Sequence, residues 1–217
     1  MTKLITPVFR ADFPALIAPK QKVDQNKQPV FNKDGSPKMV YSVTMVFDDP
    51  NTMDEIERER FEALRKLVDD TAREKWGDKM PSYYKRPFRR GVQKTDENQS
   101  GYDLAKYPHY EGKVIVVAQS VNFAPDIVGP DKTPLFGESG KAELYSGHLA
   151  RATVTAYAYK FEQSTPGVSF GLQNYWKVGD AEPFSKAGIR STADDDFAGF
   201  ETPKTAAPTL AASVADL

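Results

Sequence analysis

Apolar and polar side chains alternate along most of this chain, and the places where the alternation breaks divide it into strands around one helix. The stretch "MVYSVTMVF" (39–47) is rich in β-branched and aromatic residues and predicts a strand. "KVIVVAQSVNF" (113–123), "ELYSGHLARATVTAYAYKF" (143–161) and "VSFGLQNYWKV" (168–178) predict three more. Residues 5–17 alternate loosely and contain Pro7 and Pro14, as an edge strand or an extended approach would. Only "MDEIERERFEALRKLVDDTAREKW" (53–76) changes period. There Met53, Ile56, Phe61, Leu64, Leu67, Val68, Ala72 and Trp76 recur every three to five residues and form one apolar stripe. Asp49-Pro50-Asn51-Thr52 supplies cap chemistry before this helix, and Gly77 ends it. One long helix among about five strands predicts a mainly β, α+β fold, a small barrel or curled sheet with a helix packed on it.

The intervening segments are polar or irregular. "KQKVDQNKQPVFNKDGSPK" (20–38) reads as a loop or hairpin tip with Asp34-Gly35 at its turn. Residues 77–112 carry three prolines and four glycines and read as irregular, and 124–140 as a turn-rich connection. Strand periodicity ends near Gly179, and Ala, Thr, Pro and Asp take over. Residues 1–189 are therefore expected to form the folded domain and 190–217 a flexible acidic tail.

Composition narrows the function classes by exclusion. Apolar residues make up 40% and charged residues 27% of 217, the balance of an ordinary soluble domain with a full core. Cysteine is absent, which removes disulfide scaffolds, thiolate metal sites and cysteine nucleophiles. No apolar run approaches the roughly 20 residues that span a bilayer, and the first residues lack a secretory pattern, so a cytoplasmic protein without a membrane partner is expected. The two histidines, His109 and His148, have neither metal nor dyad spacing, and no phosphate-binding glycine loop occurs. "GVSFG" matches a nucleophile elbow by letters, but Ser169 sits inside a strand with no helix after it. Neither a cofactor nor a metal is expected.

Charge distribution says more than the net charge of -1. From Lys79 to Thr95 six cations (Lys79, Lys85, Arg86, Arg89, Arg90 and Lys94) occur without an acid, interleaved with Tyr83, Tyr84 and Phe88. Cations neutralise phosphates and rings stack on exposed bases, so this composition fits nucleic acid. The plainer reading is a solvated loop whose rings tuck under the helix. In "LARATVTAYAY" one parity holds five small apolar residues, and the other holds Arg151, Thr153, Thr155, Tyr157 and Tyr159. Period-two geometry sends these sets to opposite faces, so Tyr157 and Tyr159 become a stacking platform with Arg151 as a phosphate contact. On the next strand Val168, Phe170, Leu172 and Trp176 share the expected core parity, leaving Tyr175 and Lys177 to extend the platform. Residues 194–217 set five acids against one lysine, a net of -4, so the other 193 residues carry +3. Such an arm can screen a basic groove or serve as a handle for partners, with Asp194, Asp195, Asp196, Phe197 and Phe200 as the docking residues.

The strand "VYSVTMVFDDP" leading into a charged helix, "ARATVTAYAY", and above all "GVSFGLQNYWKVGDAEPF" resemble the single-stranded DNA-binding proteins of tailed bacteriophages. The likeness runs over most of residues 5–184. It implies an OB-fold barrel with an inserted helix, single-stranded DNA as the partner in phage replication or recombination, and the cytoplasm of an infected bacterium as the location. It also implies that the acidic tail recruits replication proteins such as a polymerase, helicase or nuclease. "DDDFAGF" (194–200) is similar to the acid-and-Phe tip of bacterial single-stranded DNA-binding proteins, although here Glu201 to Leu217 continue past it. Two other function classes stay open on the sequence. One is a magnesium-dependent nuclease using Asp96-Glu97 or Asp69-Asp70. The other is a protein-interaction module presenting the aromatic face.

Overall fold

Each predicted strand forms, because its β-branched and aromatic residues can bury one face while the other meets solvent or a helix. The computed structural model describes residues 2–24, 28–95, 101–160 and 165–184, all within one compact unit, Met1–Ser185. The elements in chain order are β1 (Leu4–Ile5), β2 (Phe9–Gln21), β3 (Met39–Phe47), α1 (Glu55–Trp76), β4 (Arg89–Val92), β5 (Tyr102–Asp103), β6 (Val114–Val121), β7 (Asp126–Val128), α2 (Gly137–Glu143), β8 (Leu149–Tyr159) and β9 (Gly167–Gly179). The long segment 143–161 is a strand only from Leu149. Its first residue closes α2, a seven-residue helix with four polar or charged side chains and two glycines that carries no periodic signal.

Strand pairing runs in a closed circuit. β6 pairs with β3, β3 with β2, β2 with β8 and β8 with β9, all antiparallel. β9 then returns to β6 in parallel, with Ala118 opposite Phe170 and Gln119 opposite Gly171. β4 adds to β6 through Arg89–Ile115 and Arg90–Val114, β5 adds to β4, β1 lies along β8, and β7 along the end of β9. Inside the circuit lie Phe9, Val43, Met45, Phe47, Val116, Ala118, Val168, Phe170 and Leu172. The small face of β8, made of Ala150, Ala152, Val154 and Ala156, packs among them. Small residues there leave room for large rings elsewhere in a narrow interior, the complementarity that close packing requires.

Helix α1 seats Phe61, Leu64, Val68 and Ala72 on that core. The rings of Phe9, Phe47, Phe61, Phe88 and Phe170 contact one another in series at 5.5–5.9 Å between centroids. Its true N-cap is Asp54, whose carboxylate accepts from Glu57 N at 2.8 Å, and Asp49 instead caps the short 3-10 turn Pro50–Thr52. Removing such a cap typically costs about 1 kcal/mol. Gly77 closes the helix with φ +47°, a left-handed value that favours glycine.

A second, smaller cluster fixes the region that the sequence leaves irregular. Val46, Tyr110 and Ile115 pack with Tyr102, Leu104, Tyr107 and Phe184 on the outside of β3 and β6. The buried Asp12 carboxylate accepts from the Tyr110 hydroxyl at 2.7 Å and lies 2.9 Å from His109 Nε2. Burial, and then the neighbouring Asp12 carboxylate, hold the Tyr110 phenol far above its ordinary pKa, so it stays a hydrogen-bond donor. These contacts anchor β4 and β5, and with them Arg89 and Arg90. No helix among the described residues is long and apolar enough to cross a membrane.

Candidate nucleic-acid interface

Residues directly opposed in a ladder share a face, and alternate residues along a strand do as well. These two rules locate the outward side of the circuit residue by residue. Thr155, Tyr157 and Tyr159 on β8 stand beside Gly171, Ser169 and Gly167 on β9. Gly171 adjoins Gln119 on β6, and Gln119 adjoins Ser42 on β3. Val117 and Thr44 form the next pair toward β4, where Arg89 opposes Ile115. The floor is thus built from glycine, serine and threonine, with tyrosines rising at one wall. The Gln119 amide reaches the Tyr157 hydroxyl at 3.5 Å. Val117 is left 37% exposed in the floor.

Close backbone approach shapes the wall. A Cβ at Gly167 would come within 2.5 Å of Tyr159 Cζ, so the ring lies directly across that glycine. A Cβ at Gly171 would meet Thr155 Oγ1 at 2.9 Å. The Tyr159 phenol is raised above its ordinary pKa by partial burial, while Arg89 opposes the shift and Tyr157 adds to it. Burial likewise raises Tyr102, again against Arg89. Arg89 therefore lies within electrostatic reach of both Tyr159 and Tyr102. Lys85 joins the same corner, since its backbone bridges Gly167, with Lys85 N donating to Pro166 O at 2.8 Å and Val168 N to Lys85 O at 3.0 Å.

The candidates taken from sequence thus separate into two groups. Tyr157, Tyr159, Arg89 and Lys85 come together, Tyr83 is 66% exposed on the adjoining loop, and Lys94 lies just past β4. Others are corrected. Tyr175 is 1% exposed and belongs to the core, with its hydroxyl on His148 Nε2 at 2.6 Å. Lys177 is equally buried, and its ammonium is held by Glu143 at 2.5 Å and Asp180 at 2.8 Å. Burial alone would lower its pKa, but these carboxylates outweigh it and raise it. Both corrections have one cause. The register shifts between Thr153–Asn174 and Val154–Leu172, leaving Gln173 as an extra residue in β9. Such a bulge reverses the parity of everything after it, so Tyr175 and Lys177 turn inward and Trp176 turns out.

The loop cations are also less available than their number suggests. Phe88 is a half-buried ring packed against the core between Phe61 and Phe170, which leaves little of it to stack on a base. Tyr84 packs on Trp76 at 5.6 Å and donates to Asp69 at 2.8 Å, and Arg86 pairs with the same carboxylate. Arg90 pairs with Asp49 at 2.8 Å. Arg151 is held by Glu57 at 2.5 Å and by the Thr6 carbonyl at 3.0 Å. It lies six residues from Tyr157 along β8, about 20 Å away. The acids considered for magnesium are partly accounted for in the same way, since Asp69 holds Tyr84 and Arg86, and Asp70 holds Lys66 and Arg73. Asp96, Glu97 and the tail residues Asp194, Asp195, Asp196, Phe197 and Phe200 lie outside the described residues.

The more open positive charge lies where a plain loop is expected. The hairpin beyond β2 and β3 folds back on itself, with Val30 N donating to Lys22 O and Lys38 N to Val30 O. Lys20 opposes Val40, which opposes Val121, and Lys22 N donates to Lys38 O at 2.7 Å. By the same pairing rules Lys20, Lys22 and Lys38 stand on the side that carries Gln119 and Val121. Partial burial lowers the Lys22 pKa, and Lys38 beside it lowers it further. Among the described residues none of Lys20, Lys22, Lys33 and Lys38 forms an ion pair. Phe31 and Phe123 are 55% and 77% exposed at this end, joined through Asn122 and Asn32 at 3.0 Å. The five lysines against two acids in 20–38 were the available sequence signal.

From the lysine end to Arg89 the strip follows about six residues of β6, roughly 20 Å. Fold and surface together define a β protein with an open strip of rings and cations rather than an enclosed cavity. The chain belongs to the family of the Enterobacter phage Enc34 ssDNA-binding protein, whose family model matches residues 2–207. Among solved structures it is similar to the single-stranded DNA-binding protein from bacteriophage Enc34, with a TM-score of 0.57 and 15% identity over 87% of each chain. The structure of that protein in complex with ssDNA matches with a TM-score of 0.56 and 16% identity, over 84% of this chain and 89% of that one. Gp2.5, a single-stranded DNA-binding protein encoded by bacteriophage T7, matches with a TM-score of 0.54 and 10% identity over 95% and 98%. No curated protein sequence matches the chain.

Proposed function

We propose that this chain is a non-catalytic single-stranded DNA-binding protein of phage replication and recombination, acting in the host cytoplasm. Membership of a phage ssDNA-binding family supports this reading. The observation that carries it is the convergence of Tyr157, Tyr159 and Gln119 over a floor of small residues, with Arg89 and Lys85 at one end and three lysines at the other. We read the closed circuit of five strands with α1 between β3 and β6 as an OB-type barrel. In this mechanism phosphates follow Lys20, Lys22, Lys38, Lys85, Arg89 and Lys94, while bases stack on Tyr157 and Tyr159 and on Phe31, Phe123 or Tyr83 toward the ends. Stacking tolerates any base because every base has a π face, so sequence preference is weak. Residues 1–189 form the binding domain. The acidic tail, 190–217, screens the strip and offers Asp194, Asp195, Asp196, Phe197 and Phe200 to replication proteins.

Fluorescence titration of labelled single- and double-stranded oligonucleotides over a salt series tests this. Each neutralised phosphate on a single strand contributes a log–log slope of about -0.7. Salt-dependent binding that favours the single strand is expected, and salt-independent binding or none at low salt contradicts it.

A further inference from the structure

Among the described residues, Arg86 is a paired cation whose partner can release it cheaply. Its guanidinium is 49% exposed and Asp69 is 30% exposed, whereas Arg151 and Glu57 are 17% and 18% exposed and are tied further to Thr6 O and Val8 N. Arg90 and Asp49 differ for another reason, because Asp49 also caps the turn before α1. Asp69 is not stranded when Arg86 leaves. It keeps the Tyr84 hydroxyl at 2.8 Å and its own access to water. The Arg86 side chain turns with that of Tyr84 toward Asp69 on α1, one residue along from the strip. Arg86 follows Lys85, whose backbone bridges Gly167, the residue beneath the Tyr159 ring. A half-exposed ion pair contributes little in water, while a phosphate on the same guanidinium releases counterions.

We propose that Asp69 tunes the affinity for single-stranded DNA by occupying Arg86 in the free protein, its carboxylate standing where a backbone phosphate binds in the complex. This rests on the function proposed above. Asp69 is a positioning residue: it touches no DNA and acts only through Arg86.

The test measures oligo-dT dissociation constants across a salt series for the full chain and for Asp69→Asn, Arg86→Gln, the double variant and Glu59→Gln, with thermal melts confirming folding. Asparagine keeps an acceptor for Tyr84 while removing the charge. Asp69→Asn is expected to bind about two- to fivefold tighter, the strength of the exposed pair it removes. Arg86→Gln is expected to bind more weakly, with a salt slope shallower by about 0.7. In the Arg86→Gln background the effect of Asp69→Asn should vanish. Equal tightening by Glu59→Gln, on the same helix, would show a general charge effect and overturn the proposal. So would an Asp69→Asn effect that persists without Arg86, or no effect at all while the parent protein binds. A parent protein that binds no single strand overturns the functional reading itself, and this proposal with it.

Discussion

His148 should make the fold sensitive to mild acid. The imidazole is fully buried, with Nδ1 2.5 Å from the Tyr145 carbonyl and Nε2 2.6 Å from the Tyr175 hydroxyl. A carbonyl can only accept, so Nδ1 carries the proton and neutral Nε2 accepts from the tyrosine. A second proton would replace that acceptor with a donor and place a cation in the core. Burial accordingly lowers the pKa to about 4, with the Tyr145 carbonyl opposing the shift and Lys177 adding to it. The unfolded chain takes this proton near pH 6.5 and the folded chain only near 4. Stability is therefore complete above about 6.5 and falls as pH drops through that window. Two and a half units at about 1.4 kcal/mol each give a limit of about 3 kcal/mol, of which about 2 kcal/mol is lost by pH 5. For a domain of this size that lowers the melting temperature by about 4–8 °C. Asp180, whose pKa lies below the ordinary carboxylate value, titrates beneath the window. Urea denaturation at pH 7.5, 6.5, 5.5 and 5.0, in a His109→Gln background, isolates the effect. His148→Gln should be less stable at neutral pH but nearly flat across the series. Equal pH dependence with and without His148 would refute the reasoning.

Three further outcomes follow from the same geometry. Gly167→Ala should push the Tyr159 ring off its seat, leaving the melting temperature little changed but weakening binding toward the roughly fivefold or greater loss expected for one missing stack. Replacing Lys20, Lys22 and Lys38 together with glutamine should make the salt slope of ssDNA binding shallower by about 2, read from titrations at several ionic strengths. Phe88→Ala should cost up to about 3 kcal/mol in urea denaturation, the low end for a core ring, because its half-buried ring packs between Phe61 and Phe170. At temperatures where that variant is folded, its affinity for single-stranded DNA should match the parent.

What sequence alone could reveal depended on how local the determining interaction was. On β8 eleven residues alternate without interruption, so the small face and the tyrosine face are both readable from period two. On β9 the same argument holds through Leu172 and then inverts at Gln173, because the bulge leaves no compositional mark. Helix α1 was legible from its stripe, but its capping residue lies two positions beyond the polar cluster that suggested it. Cations presented a different difficulty. Arg86 finds its acid 17 residues away, Arg90 at 41 and Arg151 at 94, and no window of sequence contains those pairs. The hairpin lysines have the local composition of an ordinary solvated turn, and only strand register sets three of them on one side of the sheet.

The central claim is that Tyr157 and Tyr159 act as a half-buried, outward-facing stacking surface, and a double substitution measures it most directly. Both phenols stand on the outward face of β8, so Tyr157→Ala/Tyr159→Ala should keep the parent melting temperature within a few degrees. Binding of oligo-dT should weaken by at least about 25-fold, the product of two lost stacks at their lower limit. Parent-like affinity from a folded double variant would contradict the account.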